Sequence, residues 1–240
     1  MAIQRRGDVE ERSLLATDET LHPFLNGALK IIQKKEGYRF SIDAVLLSQF
    51  VKIKKNEKVL DLGTGCGILP LLLSRTAQTA FFIGVEIQQS LVECAIKNVV
   101  VNHLQDRISI LQQDFRKLKM IFPPSSFDVV LSNPPYRKYR TGRVNPAPEK
   151  AIARHEIKGT LHDLVTIASY LLPNKGRFYV VYPASRTTDL LVTLREKNLE
   201  PKRIQLVHSR RDEKAKLILV ESIKSVGVEL TLLPPQFLYP

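Results

Sequence analysis

Three glycines at alternate positions, Gly63, Gly65 and Gly67, stand in the run VLDLGTGCGIL, between a stretch that reads as a strand and one that reads as a helix. Glycines there permit positive φ and let a ligand approach the backbone closely. The N–H groups of the helix N-terminus open into the same space. The third glycine of a dinucleotide fingerprint would fall on Ile68, and no Gly-Lys-Ser/Thr follows, so neither that fingerprint nor a P-loop fits. Instead Asp61 sits two residues before the first glycine, where a carboxylate suits a cationic ammonium. Glu86 ends the next candidate strand, where an acid accepts the two hydroxyls of a ribose. Asp114 ends the third, placed to receive an adenine amino group. Ammonium, ribose and adenine occur together in S-adenosyl-L-methionine, and Gly67 and Phe115 complete the candidate set for that cofactor.

A fourth candidate strand, FDVVLS, runs into Asn133, Pro134, Pro135 and Tyr136. An exocyclic amino group is a poor nucleophile because its lone pair is delocalised. Two acceptors aimed at its two N–H bonds draw the nitrogen toward tetrahedral geometry as charge develops. The Asn133 side-chain oxygen and the Pro134 carbonyl are read as those acceptors. Pro135, without an N–H, holds the carbonyl direction, and Tyr136 offers a face for a splayed-out base. Arg137, Lys138, Arg140, Arg143 and Lys150 follow and are candidates for phosphate contacts around a flipped nucleotide.

These residues need a scaffold that brings strand ends to one edge. From residue 58 onward short apolar strands (KVLDLG, FFIGVE, RISILQQ, FDVVLS, RFYVVYP, RIQLVH, KLILVES) alternate with helical stretches such as QQSLVECAIKNVVVNHL. Such alternation predicts an α/β fold: a Rossmann-like, mostly parallel seven-stranded sheet covered on both faces. The link HSRRDEKAK is too short for a parallel crossover, so the last strand is expected to be antiparallel. Residues 1–57 are read as an N-terminal extension and 58–240 as the catalytic domain. Within the extension, residues 1–20 read as a polar arm, LKIIQ–KKEG–YRFS as a small hairpin, and Ser41 as the N-cap of the helix IDAVLLSQFV. Residues 137–152 read as a long loop.

Charge agrees with a polyanionic partner. The 240-residue chain carries a net charge of +12. The excess lies in residues 133–216, with 18 Lys/Arg against 8 Asp/Glu. A basic excess placed on one part of the chain is the footprint of a nucleic-acid binder. The two cysteines, Cys66 and Cys94, match no metal spacing, nor do the five histidines, so no metal is expected. No apolar run reaches the ~18 residues of a membrane span. The polar start of the chain lacks an apolar signal stretch. A cytoplasmic location without membrane association is expected.

DLGTGCG with Glu86, Asp114 and NPPY resembles the class I S-adenosylmethionine-dependent methyltransferases that modify amino nitrogens. LKIIQKKEGYRFSIDAVLLSQF, the stretch from Ala153 to Arg186 and LEPKRIQLVH resemble the bacterial tRNA(Val) adenine N6-methyltransferase family, over nearly the whole chain from Leu21. The resemblance implies methylation of the adenosine next to the anticodon of a tRNA. It also implies that Phe40, Ser41 and Asp43 border the methionine end of the cofactor, and that Asp61, Gly63, Gly65, Glu86, Asp114 and Asn133 occupy cofactor positions. One departure is SVG at Ser225–Gly227, where the family pattern implies paired glycines. Two other readings use the same residues: a protein glutamine methyltransferase acting on release factors, and a non-catalytic RNA-binding module on the same fold.

Overall fold

The computed structural model describes residues 14–36, 40–134 and 159–239. An antiparallel hairpin of β1 (Glu19–Phe24) and β2 (Leu29–Lys34) precedes helix α1 (Ile42–Phe50). Then follow β3 (Lys58–Leu62), α2 (Ile68–Thr76), β4 (Phe81–Glu86), α3 (Gln89–Val101), β5 (Ile108–Gln112), a 3-10 helix (Phe115–Met120) and β6 (Val129–Ser132). The second half comprises α4 (Leu161–Leu171), β7 (Arg177–Pro183), α5 (Thr187–Glu196), β8 (Leu199–His208) and β9 (Ala215–Lys224). Two short strands close the chain, β10 (Thr231–Leu232) and β11 (Gln236–Phe237).

The main sheet runs β10-β8-β9-β7-β6-β3-β4-β5, with β11 also on β8. The strands β3 to β9 carry it. β9 alone is antiparallel to its neighbours, β7 and β8. The short turn before β9 forces this, as expected. Alternation along the strands splits the core between the two faces. Leu131, Tyr179 and Val181 pack with the hairpin, α1 and α2. Val130, Phe178, Val180 and Tyr182 pack with α4 and α5. The two outer layers are therefore written into the period-two pattern of each strand.

Between β3 and β6 the strand order reverses: β4 and β5 lie to one side of β3, and β6 returns on the other. Crevices open at such switch points, beyond the C-terminal strand ends. Leu62 pairs with Ser132, so Gly63 and Asn133 leave adjacent strands at one level.

The hairpin differs from its sequence reading. Its strands are Glu19–Phe24 and Leu29–Lys34, joined through Asn26-Gly27, both at positive φ. The polar arm therefore ends before Glu19. The segment expected as the second strand, YRFS, contributes no strand among its described residues, Phe40 and Ser41. An Asn-Gly turn sets the register more firmly than the Lys-Lys-Glu-Gly run does. Ser41 does occupy the N-cap position of α1, but its side chain makes no capping hydrogen bond.

Two asparagines, Asn98 in α3 and Asn102 at its C-cap, hold the hairpin on that helix. Asn98 Oδ1 accepts from the Ile32 N–H (2.6 Å), and its Nδ2 donates to the Ile32 carbonyl (3.0 Å). One turn later Asn102 does the same for Lys30, at 2.9 and 2.7 Å. Spaced four residues apart on one face of α3, these amides stand in for a strand along the edge of β2. At the other end of the sheet, Ser225 takes φ 56° just after β9. It does so where the family pattern implies glycine, as the left-handed region favours.

Candidate active site

The crevice at the switch point holds about 840 Å³ of space, part of it open to solvent. Gly63 and Gly65 form its floor and Glu86 one wall, with Asp114 and Phe115 beyond. Asn133 and Pro134 line it from the end of β6, and Tyr182 from the end of β7.

The floor is shaped by backbone conformation. Gly63, Gly65 and Gly67 have φ of 75°, 58° and 81°. Gly67 lies behind the floor as the N-cap of α2, where a Cβ would come within 3.3 Å of the Ala95 side chain. It therefore sets the packing of α2 on α3 and does not line the crevice. Beneath the floor Asp61 is 1% exposed, and neither carboxylate oxygen has a hydrogen-bond partner. The hydroxyl of Thr64 is likewise buried without one. Burial pushes the Asp61 carboxyl up to about 7; the Thr64 hydroxyl, close by but outside hydrogen-bonding geometry, opposes the rise only in part, and the charge of Glu86 adds to it. Buried acceptors without donors are costly, and a cationic group above the glycine turn would relieve that cost.

Glu86 is held in place before any ligand arrives. Its Oε2 accepts from the Gly65 N–H (3.0 Å), and its Oε1 accepts from the Ile87 and Gln88 N–H groups (2.9 and 3.0 Å). Oε2, with one donor, keeps acceptor capacity for a ribose hydroxyl, while Oε1 already accepts two bonds and serves to orient the carboxylate. Burial raises its pKa, and the three backbone donors counter that rise. Asp114 is different: Arg116 grips both its oxygens and holds its carboxyl below the usual range. An adenine amino group would share that acceptor with a guanidinium.

Phe40, Ser41 and Asp43 do not line the crevice; Phe40 stacks edge-on against Phe24 of the hairpin, 5.4 Å between centroids. Cys66 lies behind the glycine turn, and burial raises its thiol to about 11, so it stays protonated at neutral pH. Pro135, Tyr136, Arg137, Lys138, Arg140, Arg143 and Lys150 fall outside the described residues. Sequence reasoning missed Tyr182 and the N-terminus of α4, where Gly159 to Leu161 close the crevice. The signal for the second was present: Thr160 and Asp163 form a capping box, which fixes where α4 begins. Among the described residues no group of three His, Cys, Asp or Glu side chains is placed to hold a metal. Among them, too, no helix is long and apolar enough to cross a membrane.

A switch-point crevice with a glycine turn, a buried orphan carboxylate and a ribose-height glutamate fits S-adenosyl-L-methionine. Fold and site together define a class I methyltransferase that uses this cofactor. A family model described as a methyltransferase domain matches residues 53–220, and the chain belongs to that family.

Among curated relatives, a tRNA1(Val) (adenine(37)-N6)-methyltransferase of a Flavobacteriaceae bacterium (strain 3519-10) is 26% identical over 210 residues, 87% of each chain. The protein of that name from Tolumonas auensis is 27% identical over 83% of this chain and 82% of its own. The one from Bacteroides thetaiotaomicron is 32% identical over 62% of this chain and 61% of its own. Among solved structures, a predicted O-methyltransferase of Agrobacterium tumefaciens superposes with a TM-score of 0.66 at 22% identity, covering 81% of this chain and 86% of that one. A SAM-dependent O-methyltransferase of Thermotoga maritima gives a TM-score of 0.56 at 16% identity, over 81% and 69%. These structures share the fold.

Proposed function

We propose that the protein transfers a methyl group to the exocyclic N6 of an adenosine in tRNA, next to the anticodon. The observation that carries this reading is the position of Asn133 and Pro134. They leave β6 beside the glycine turn and line the same crevice as Glu86. The named function of the curated relatives supports the choice of base and RNA.

Bound over the glycine turn, S-adenosylmethionine supplies an electrophilic methyl on a sulfonium. Asp61 and the turn receive its ammonium end, and Glu86 its ribose. The Asn133 Oδ1 and the Pro134 carbonyl accept the two N–H bonds of the target amine, so that its lone pair faces the crevice. Pro135 and Tyr136 fix and stack the base, while Arg137, Lys138, Arg140, Arg143 and Lys150 hold nearby phosphates. Residues 1–57 serve as that extension and 58–240 as the catalytic domain. The protein acts in the cytoplasm, where its RNA is found.

The test is methyl transfer from labelled S-adenosylmethionine into unmodified bulk tRNA, with nucleosides identified by mass spectrometry. N6-methyladenosine confined to tRNA is expected. Label in a release-factor glutamine instead would keep the acceptor pair and replace the substrate.

A further inference from the structure

The β8–β9 turn, HSRRDEKAK from His208 to Lys216, has no role in the chemistry above. Its position in the sheet is informative. β8 and β7 both run antiparallel to β9, so they point the same way, and the C-terminal end of β8 shares an edge with the crevice. Register makes this specific. Pro183 pairs with Leu217, and Leu217 pairs with Val207. The turn therefore begins one residue beyond the level of Pro183, the neighbour of the crevice residue Tyr182. Three strand spacings, about 14 Å, separate β6 with its acceptor pair from β8.

What stands there is basic and aromatic together. Arg210, Arg211, Lys214 and Lys216 are all exposed or half-exposed. The two carboxylates on the same turn are Asp212 and Glu213, and Lys216 lies 3.1 Å from Glu213. β11 runs parallel to the end of β8 and sets Phe237 opposite His208, with ring centroids 5.5 Å apart. The Arg211 guanidinium lies over the same Phe237 ring, 5.8 Å from its centroid. His208 is fixed by a 2.7 Å hydrogen bond between Nδ1 and the Glu213 carbonyl. Close to Phe237, Tyr239 is 60% exposed and its N–H donates to the Ser209 carbonyl, as the Leu238 N–H does to the His208 carbonyl, so these two residues are pinned along the turn. Just after β7, the Arg186 guanidinium lies 4.9 Å from the centroid of the crevice residue Tyr182.

We infer that the β8–β9 turn and β11 form a second RNA-binding platform, which holds the strand flanking the target adenosine at its phosphates and stacks one of its bases. The inference rests on the RNA reading of the active site and extends it to a surface that reading leaves unused. Cations interleaved with exposed aromatic rings, on the same edge as the reacting centre, match single-stranded nucleic acid: phosphates meet the charges and bases meet the rings. A lateral distance of about 14 Å places the platform beyond the target nucleotide, within reach of its neighbours on the same strand.

The test uses the full chain and tRNA transcripts. Binding is measured across a salt series for wild type and for Arg210→Gln/Arg211→Gln/Lys214→Gln, with S-adenosylmethionine affinity measured alongside. On a single strand each neutralised phosphate accounts for about 0.7 of the salt slope, so replacing three cations should lower the slope by about 2. We expect that shallower slope, an RNA affinity at least about tenfold weaker at low salt, and unchanged cofactor affinity. Arg210→Lys/Arg211→Lys should keep the slope, because binding a phosphate needs only the charge. Phe237→Leu should weaken RNA binding with the slope intact, because it removes a ring and no charge. A triple variant with wild-type slope and affinity overturns the platform and leaves the active-site reading standing. Wild-type protein that neither binds nor methylates tRNA overturns both.

Discussion

The Asn98 side-chain amide donates both to the Ile32 carbonyl of the hairpin and, at 2.9 Å, to the Cys66 carbonyl inside the glycine turn. The floor of the cofactor crevice and the N-terminal hairpin thus share one buried hydrogen-bonding group. Asn98 is fully buried, so its loss strands the Cys66 carbonyl and the Ile32 N–H without water to replace it, and leaves the Ile32 carbonyl only the Cys94 thiol, 3.1 Å away.

Asn98→Ala should accordingly cost about 3 kcal/mol of stability. It should also weaken S-adenosylmethionine binding, although Asn98 does not line the crevice. Urea unfolding and calorimetric titration check the two halves separately. Asn102→Ala reaches only the hairpin end of this ladder, and should lower stability with cofactor affinity preserved.

Asp61 predicts the pH dependence. Its pKa rises from 3.8 to about 7 on folding, with burial as the leading cause. Between those values the folded state binds more protons than the unfolded one, so unfolding free energy falls as pH rises from about 4 to about 7. Above that window the loss is complete. The raised Glu86 acts in the same direction. Asp61→Asn should therefore flatten this part of the stability profile. In the wild type, binding a cationic ammonium favours the ionised carboxylate, so cofactor affinity should increase through pH 7 and binding should release protons. Calorimetry in two buffers of different ionisation enthalpy measures that release. Cofactor affinity in Asp61→Asn should be at least about tenfold weaker, about 1.4 kcal/mol, and nearly independent of pH.

Asn133 predicts a split between binding and turnover. Asn133→Ala should lower kcat by about 10²- to 10³-fold, the scale of one positioned acceptor or donor at a reacting centre. Its effect on cofactor affinity should stay within a few-fold, because Glu86 and the glycine turn remain. Single-turnover kinetics with saturating cofactor make the measurement. A kcat within threefold of wild type would remove Asn133 from the acceptor pair.

The parts of this molecule legible in sequence are those where local chemistry leaves one choice. Gly63, Gly65 and Gly67 all take positive φ, which residue type alone anticipates. The crevice follows from strand–helix alternation, since the switch point is a property of chain order. The antiparallel β9 follows from a link too short for a crossover. What escapes a sequence reading depends on partners distant in the chain. Asn98 and Asn102 look like polar residues on a helix until β2, 66 and 72 residues away, is laid beside them. β10 and β11 have two residues each, too few to show a period. The hairpin is ambiguous in sequence because two turn-like runs, LNGA and KKEG, compete, and only the first has an Asn-Gly pair, which fills two of its three successive positive-φ positions.

Gly159 and Phe115 give a last prediction, on the wall of the crevice beyond Glu86. A Cβ at Gly159 would lie 2.3 Å from the Phe115 Cζ, far inside contact distance, so the ring is packed against bare backbone. Both residues line the crevice, and Phe115 opens the 3-10 helix next to Asp114. Gly159→Ala must push the ring aside or displace the start of α4, which Thr160 and Asp163 cap. Overpacking of this kind costs about 1–3 kcal/mol. If Phe115 forms the adenine wall, the cost should fall on binding: a cofactor Kd raised about tenfold or more, for adenosine as well as for S-adenosylmethionine, because the ring faces the base and not the methionine. Phe115→Leu in the Gly159→Ala background should recover part of that loss by giving the methyl group room. Unchanged adenosine affinity in Gly159→Ala would place the base elsewhere in the crevice and free Phe115 for a packing role alone.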